Sequence, residues 1–166
     1  MSRAFVREED GDLPEDLPEI PVSPYTNYVT PRGLRLLEES LSEQLAAHAK
    51  ITDDQVDARQ QRALIERRKR WLQARISQAV LVPEGTGPAP EEVAFGHYVV
   101  VLGEDDQEHV FQIVGEDESE PAAGRVSWRS PLAQALLGAE IGEEVVWARP
   151  AGNKVVEILA IHHQKP

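Results

Sequence analysis

Leucines recur along residues 34–45 at the spacing of one helical face. They are Leu34, Leu37, Leu41 and Leu45, separated by three, four and four positions. This spacing places all four on a single side of an α-helix. Thr30 and Pro31 precede the stripe, and these residues favour a helix start because threonine caps well and proline suits the first turn.

A second apolar stripe predicts another helix directly afterwards. Its members are Ala58, Ile65, Leu72 and Ala79, seven positions apart, with Ile76 in the neighbouring row. Thr52 and Gln55 form a capping box, which predicts that this helix begins near Thr52. Two amphipathic helices joined by a short break pack antiparallel, so residues 30–79 are predicted to form a coiled-coil hairpin.

The C-terminal half instead shows short apolar runs rich in β-branched residues. Strands are predicted over residues 97–102, 109–114, 125–128, 145–148 and 155–161, and a short helix over residues 132–137. One helix laid over an antiparallel sheet is an α+β design.

Proline, glycine and charge divide the chain into four segments. Residues 1–27 are acidic and contain a proline every three or four positions from Pro14, which predicts a flexible extended arm. Residues 28–82 hold the hairpin, residues 83–90 form a linker rich in proline and glycine, and residues 91–166 form the second domain.

Composition excludes several classes of protein. The chain has 166 residues, 41% hydrophobic and 28% charged, and no cysteine, which is globular composition and rules out disulfides and thiolate chemistry. No apolar run is long enough to span a membrane, and the N-terminus lacks the apolar core of a signal peptide. We therefore expect a cytoplasmic protein with no membrane partner.

The net charge of −12 is unevenly distributed. Residues 32–78 carry ten basic and seven acidic groups, net +3, between acidic flanks. The basic residues of the second helix include Arg59, Arg62, Arg67, Arg68, Lys69 and Arg70. Arginine suits phosphate and carboxylate partners, so this cluster is either a nucleic-acid contact or a solvated face paired with acids such as Glu66.

The C-terminal segment resembles the GreA/GreB transcription elongation factors. The similar residues are Ser127, Ser130, Pro131, Leu132, Ala133, Leu136, Leu137 and Gly142. The run Val29-Thr30-Pro31-Arg32-Gly33 before the leucine stripe fits the same family. The physical role of the C-terminal residues is structural, since Ser130 can cap a helix that Leu132 and Leu136 pack onto the sheet.

The resemblance implies a fold and a function. The C-terminal domain would be FKBP-like and would dock on RNA polymerase, while the coiled coil enters the secondary channel of the polymerase. Acidic residues at its tip would help to hold a magnesium ion shared with the polymerase active site. The polymerase then cleaves the 3′ end of backtracked nascent RNA, so the factor has no catalytic residue of its own and no stably bound cofactor.

Aspartates stand where the tip of the hairpin is expected. Asp54 and Asp57 have i, i+3 spacing at the predicted start of the second helix, and Asp53 adjoins them. Carboxylate oxygens are the ligands that Mg²⁺ prefers, so these residues are candidates for supplying the polymerase magnesium. Helix capping explains the same residues, and both roles stay open.

Three alternatives accompany this interpretation. Both helices are shorter than in cleavage-stimulating factors, which resembles the Rnk-type regulators that occupy the channel without promoting cleavage. The FKBP-like fold also allows a prolyl isomerase, although few aromatic residues are available for its pocket. A self-associating coiled coil is the third alternative, whereas the principal interpretation predicts a monomer that binds RNA polymerase and nascent RNA.

Overall fold

The computed structural model describes residues 17–166, so the first sixteen residues of the predicted arm lie outside the described residues. The chain forms an α+β structure with a pair of helices followed by a sheet. Its elements are β1 (Asn27–Val29), α1 (Pro31–Ala49), α2 (Ala58–Ser77), β2 (Ala79–Leu81), β3 (Tyr98–Leu102), β4 (Glu108–Val114), β5 (Arg125–Ser127), α3 (Pro131–Leu136), β6 (Glu144–Trp147) and β7 (Lys154–His162).

Helices α1 and α2 lie side by side and run in opposite directions. Near one end Leu37 shares an apolar cluster with Leu72, and near the other end His48 lies 3.3 Å from Glu66. Leu37 and Leu72 are 5% and 1% exposed, whereas Leu45 is 49% exposed. The apolar contact between the helices is therefore most complete near β1 and weakens toward the loop that joins them.

Helix α2 begins five residues later than the capping box predicts, since its N-cap is Asp57 and not Thr52. The Thr52 hydroxyl donates to the carboxylate of Asp54 instead of capping a helix, and residues 53–57 form turns and a bend. Asp57 then adopts a left-handed conformation with φ of 68° at the N-cap of α2. Because helical φ is negative, this residue interrupts any helix that started at Thr52, and the predicted start is wrong.

A short parallel pair of strands flanks the helices and was not predicted. Strands β1 and β2 pair from Asn27 opposite Ala79 to Val29 opposite Leu81. Ala79, expected on the apolar stripe of the second helix, therefore belongs to a strand. Because β1 precedes α1 and β2 follows α2, the pairing closes the helical segment at its base.

The main sheet has five strands in the order β5-β4-β3-β7-β6. Strand β5 runs parallel to β4, whereas the other neighbours are antiparallel. The predicted fully antiparallel sheet is therefore corrected to a mixed one. The cause is the connection 115–124, which contains two 3₁₀ turns at Glu116–Glu118 and Pro121–Ala123. It brings Arg125 back opposite Gln112, so β5 runs parallel to the last three residues of β4.

Helix α3 covers the apolar face of this sheet. The Ser130 hydroxyl accepts a hydrogen bond from the backbone N–H of Ala133 at 3.2 Å, and Pro131 occupies the first turn. Leu132 and Leu136 are 2% and 0% exposed and join the main core. The core also contains Val93, Val99, Val101, Ile113, Val126, Ala133, Ala139, Val156, Ile158 and Ile161.

Within residues 17–166 no helix combines the length and apolar character that crossing a membrane requires.

Candidate functional site

The loop between α1 and α2 carries three aspartates at the end of the helical pair farthest from β1. Asp53 pairs with Arg62 at 2.7 Å, and its side chain is 90% exposed. Asp54 accepts from the Thr52 hydroxyl, which lowers the pKa of the Asp54 carboxyl. Asp57 occupies the N-cap position of α2, but its side chain makes no capping hydrogen bond. The loop therefore presents its three carboxylate side chains to solvent.

The carboxylates are not arranged as the i, i+3 helical pair that the sequence predicts. Asp54 precedes α2 and Asp57 is its N-cap, so only Asp57 borders the helix. Among the described residues, no group of three or more His, Cys, Asp or Glu side chains is placed to hold a metal ion. The loop carboxylates alone therefore do not form a complete site for a metal ion.

Some basic residues of α2 pair with groups of the two helices and their loop, and others contact the N-terminal segment or a neighbouring aromatic ring. Arg62 also donates to the backbone oxygen of Ile51 at 3.3 Å. Lys69 binds Glu66 at 2.7 Å, and this hydrogen bond lowers the pKa of Glu66. Part of the predicted basic cluster therefore stabilises the helices themselves, as expected for a solvated face.

Arg70 lies beside the N-terminal segment 17–26, and Arg68 packs on the neighbouring Trp71. The Arg70 Nε and Nη2 atoms both donate to Oε1 of Glu19, at 3.0 and 2.6 Å. The guanidinium of Arg68 lies 4.4 Å from the centre of the Trp71 ring. The Trp71 indole N–H donates to the backbone oxygen of Pro21 at 3.1 Å. The described part of the predicted arm therefore follows α2.

A buried arginine ties the base of α2 to the connection after β4. Arg75 is 1% exposed and donates to Asp117 at 2.7 Å and to the side-chain oxygen of Asn27 at 2.6 Å. The Asn27 amide donates in turn to the backbone oxygen of Arg75 at 2.8 Å. Arg75 is thus held by β1 on one side and by the 3₁₀ turn 116–118 on the other.

A second buried charge ties the start of α1 to the same turn. Glu118 is 5% exposed and accepts from the Thr30 hydroxyl at 2.5 Å and from Arg32 at 3.0 Å. A Cβ added at Gly33 would lie 2.7 Å from the Glu118 carboxylate. Thr30 therefore caps α1 through the backbone N–H of Gly33, and Gly33 leaves room for the Glu118 carboxylate. Sequence reasoning missed the contact of both residues with Glu118.

Two histidines line a cavity of about 190 Å³ beside the segment 82–85. The rings of His97 and His163 lie 5.2 Å apart, edge to face. Burial, and then the neighbouring His163, lower the pKa of His97. The Nδ1 atom of His97 accepts from the backbone N–H of Ala94 at 3.1 Å, so its proton resides on Nε2 and the ring is neutral at pH 7.

The C-terminal half of the chain matches a known protein family. Residues 88–163 match the family model described as the C-terminal domain of the transcription elongation factors GreA and GreB. The matched range contains α3 and the five-stranded sheet, whereas the helices and their acidic loop lie before it.

Curated relatives extend the similarity across the helices. Transcription elongation factor GreB of Neisseria meningitidis serogroup B is 33% identical over 155 residues, covering 84% of this chain and 95% of the relative. GreA of Vibrio cholerae is 34% identical over 146 residues, covering 78% and 93%. Among solved structures, GreA factor homolog 1 of Thermus thermophilus is 25% identical, covers 83% of this chain and 99% of its own, and has a TM-score of 0.39.

Proposed function

This chain belongs to the GreA/GreB family of transcription elongation factors, and from that premise we propose that it binds RNA polymerase and acts through the secondary channel. In this proposal the helical pair enters the channel and the chain works as a monomer in the cytoplasm. The reaction that it promotes, cleavage of backtracked RNA, is carried out by the polymerase. The protein itself supplies binding and carboxylates.

The observation that carries the proposal is the acidic loop at the free end of a narrow two-helix rod. The 19 residues of α1 span about 28 Å at 1.5 Å per residue. The buried contacts of Arg75 and Glu118 lie at the opposite end. Because the polar links to the sheet are at the base, the loop with Asp53, Asp54 and Asp57 is free to project into an opening.

The chemistry assigned to the loop is the supply of oxygen ligands. Asp54 and Asp57 are the proposed contributors, and the magnesium ion belongs jointly to the polymerase active site. Such an ion stabilises charge that develops on phosphate oxygens and lowers the pKa of bound water. Asp53 is assigned a positioning role, since its ion pair with Arg62 fixes the loop against α2.

The basic residues of α2 are assigned to the nascent RNA near its 3′ end. The proposed contacts are Arg59, Arg62, Arg67, Arg68, Lys69 and Arg70. Guanidinium groups bind phosphate in a two-point geometry, and these residues lie on the same rod as the acidic loop. Residues 91–166 are assigned to docking on the polymerase as an FKBP-like domain, with residues 83–90 as the linker.

A second candidate is a channel occupant that competes with cleavage factors without promoting cleavage. Two observations favour it. Asp53 is already neutralised by Arg62, and the late start of α2 at Ala58 removes the helical alignment of Asp54 with Asp57. Both candidates require polymerase binding and differ only in the chemistry at the loop.

The test uses backtracked elongation complexes prepared with RNA labelled at its 5′ end. Purified protein is added and RNA length is followed with time, in the presence and absence of a cleavage-competent Gre factor. Shortened RNA with this protein alone supports the first candidate. Suppression of the other factor's cleavage without shortening supports the second, and no effect in either arm contradicts both.

A further inference from the structure

The N-terminal segment 17–26 occupies part of the surface that the proposed function assigns to RNA. Arg70 donates three hydrogen bonds to the Glu19 carboxylate, and the indole N–H of Trp71 donates to the backbone oxygen of Pro21. Farther along, Arg129 stacks on the Tyr25 ring, with 3.3 Å between the guanidinium carbon and the ring centre. The segment is therefore anchored at α2 and again beside α3.

The occupied surface has the composition of a single-stranded nucleic-acid site. Arg68 lies against the Trp71 ring, and Arg67 is close enough to help lower the pKa of Glu19. Aromatic rings stack on bases and guanidinium groups pair with the phosphates between them. The carboxylate of Glu19 occupies the same kind of guanidinium contact that a phosphate oxygen would use.

We propose that residues 19–21 act as an internal competitor that covers the surface formed by Arg67, Arg68, Arg70 and Trp71 against single-stranded RNA. The inference rests on the proposed contact of α2 with RNA and adds its regulation. The sequence is consistent with this role, because residues 1–31 contain seven acidic and two basic groups, net −5.

The contacts have the strength that a displaceable cover needs. The side chains of Arg70 and Glu19 are 51% and 62% exposed, so their ion pair is weak and is screened by salt. Covalent attachment compensates, since a tethered segment has a high effective concentration at its site. A polyanion that contacts several arginines at once can therefore displace the segment, whereas a single anion cannot.

The test measures the affinity of the full chain for a fluorescein-labelled twelve-nucleotide oligouridylate by fluorescence anisotropy at low salt. Glu19→Gln removes the negative charge that pairs with Arg70 and is expected to tighten binding about threefold. Glu39→Gln is the matched control, because it removes the same charge from an exposed position on α1. Equal affinities for these two variants would overturn the proposal, as would an absence of measurable binding in every variant.

Arg70→Gln separates failure of the cover from failure of the RNA contact. If Arg70→Gln weakens binding but Glu19→Gln has no effect, the RNA contact stands and the cover is wrong. If Arg70→Gln has no effect in the Glu19→Gln background, where the cover is already released, the assigned RNA surface is wrong and the cover fails with it. If both proposals hold, Glu19→Gln no longer tightens RNA binding in the Arg70→Gln background. The NMR resonance of the Trp71 indole N–H is also expected to shift on Glu19→Gln but not on Glu39→Gln.

Discussion

The Thr30 hydroxyl donates a 2.5 Å hydrogen bond to the carboxylate of Glu118, 88 positions later in the chain. The same oxygen accepts from the backbone N–H of Gly33 at 2.9 Å. One side chain therefore caps α1 and satisfies a buried carboxylate after β4. Because a buried charge without a partner is costly, this relationship fixes the base of the helical rod relative to the sheet.

Thr30→Val is expected to destabilise the protein by about 2 kcal/mol, because it removes a helix cap and one donor to a buried carboxylate. Urea unfolding followed by circular dichroism measures the effect. Thr52→Val is the matched control, since the Thr52 hydroxyl bonds to Asp54 in an exposed loop, and its unfolding midpoint should stay at the wild-type value. Equal midpoints for the two variants would contradict the assigned role of Thr30.

Gly33→Ala is expected to destabilise α1, although alanine is intrinsically the better helix former by about 1 kcal/mol. The added Cβ would lie 2.7 Å from the Glu118 carboxylate, so Glu118 must move and lose its short contact with Thr30. Thermal unfolding decides the sign. Ser42→Ala, at an exposed position of α1, should be neutral or slightly stabilising, and a stabilised Gly33→Ala would show that Glu118 can move without cost.

Arg75→Met is expected to cost about 3 kcal/mol, because breaking a buried ion pair leaves its partners uncompensated. Asp117 and the Asn27 amide oxygen would each lose a donor. Chemical denaturation measures the loss, and Arg35→Met on the exposed side of α1 is the control, with an expected change within about 0.5 kcal/mol. A wild-type midpoint for Arg75→Met would mean that packing alone joins α2 to the sheet.

The contact between Glu19 and Arg70 is expected to weaken in acid. The hydrogen bond from Arg70 lowers the pKa of Glu19 below its ordinary value of 4.5. A lowered carboxyl pKa means that the contact is fully present above 4.5 and is lost as pH falls through the lower value. Side-chain carbon shifts of Glu19 in a pH titration measure this pKa, and Arg70→Gln should return it toward 4.5. A Glu19 pKa unaffected by Arg70→Gln would contradict the contact.

Local patterns were sufficient to predict most of the elements. The leucine stripe located α1, and the Ser130-Pro131 pair located α3, because caps and apolar periodicity act within a few residues. The runs of β-branched residues located β3, β4 and β7 to within one residue at either end. These signals depend only on neighbours in the chain, which is why a single sequence reveals them.

The features that sequence reasoning missed depend on distant residues or on unusual backbone conformation. Nothing near Glu118 indicates that its partner is Thr30, and nothing near Asn27 indicates that β1 pairs with β2. The positive φ of Asp57 is allowed because aspartate tolerates the left-handed region better than most residues. It sets the start of α2 at Ala58, so Asp54 lies in the loop before the helix and not on the helix start that the sequence predicted.

Replacing both Asp54 and Asp57 by asparagine is expected to reduce the rate of RNA cleavage in backtracked complexes by about tenfold or more, because neutral amides bind magnesium more weakly than carboxylates. Polymerase binding, measured by competition with a Gre factor, should be retained, since the change lies at the end of the rod away from the sheet. Asp105→Asn with Asp106→Asn is the matched control, because it removes the same charge from the exposed turn between β3 and β4. Cleavage that is present in the wild type and unchanged in the loop variant would refute the assignment of Asp54 and Asp57, whereas lost binding would show that the loop docks rather than delivers ligands.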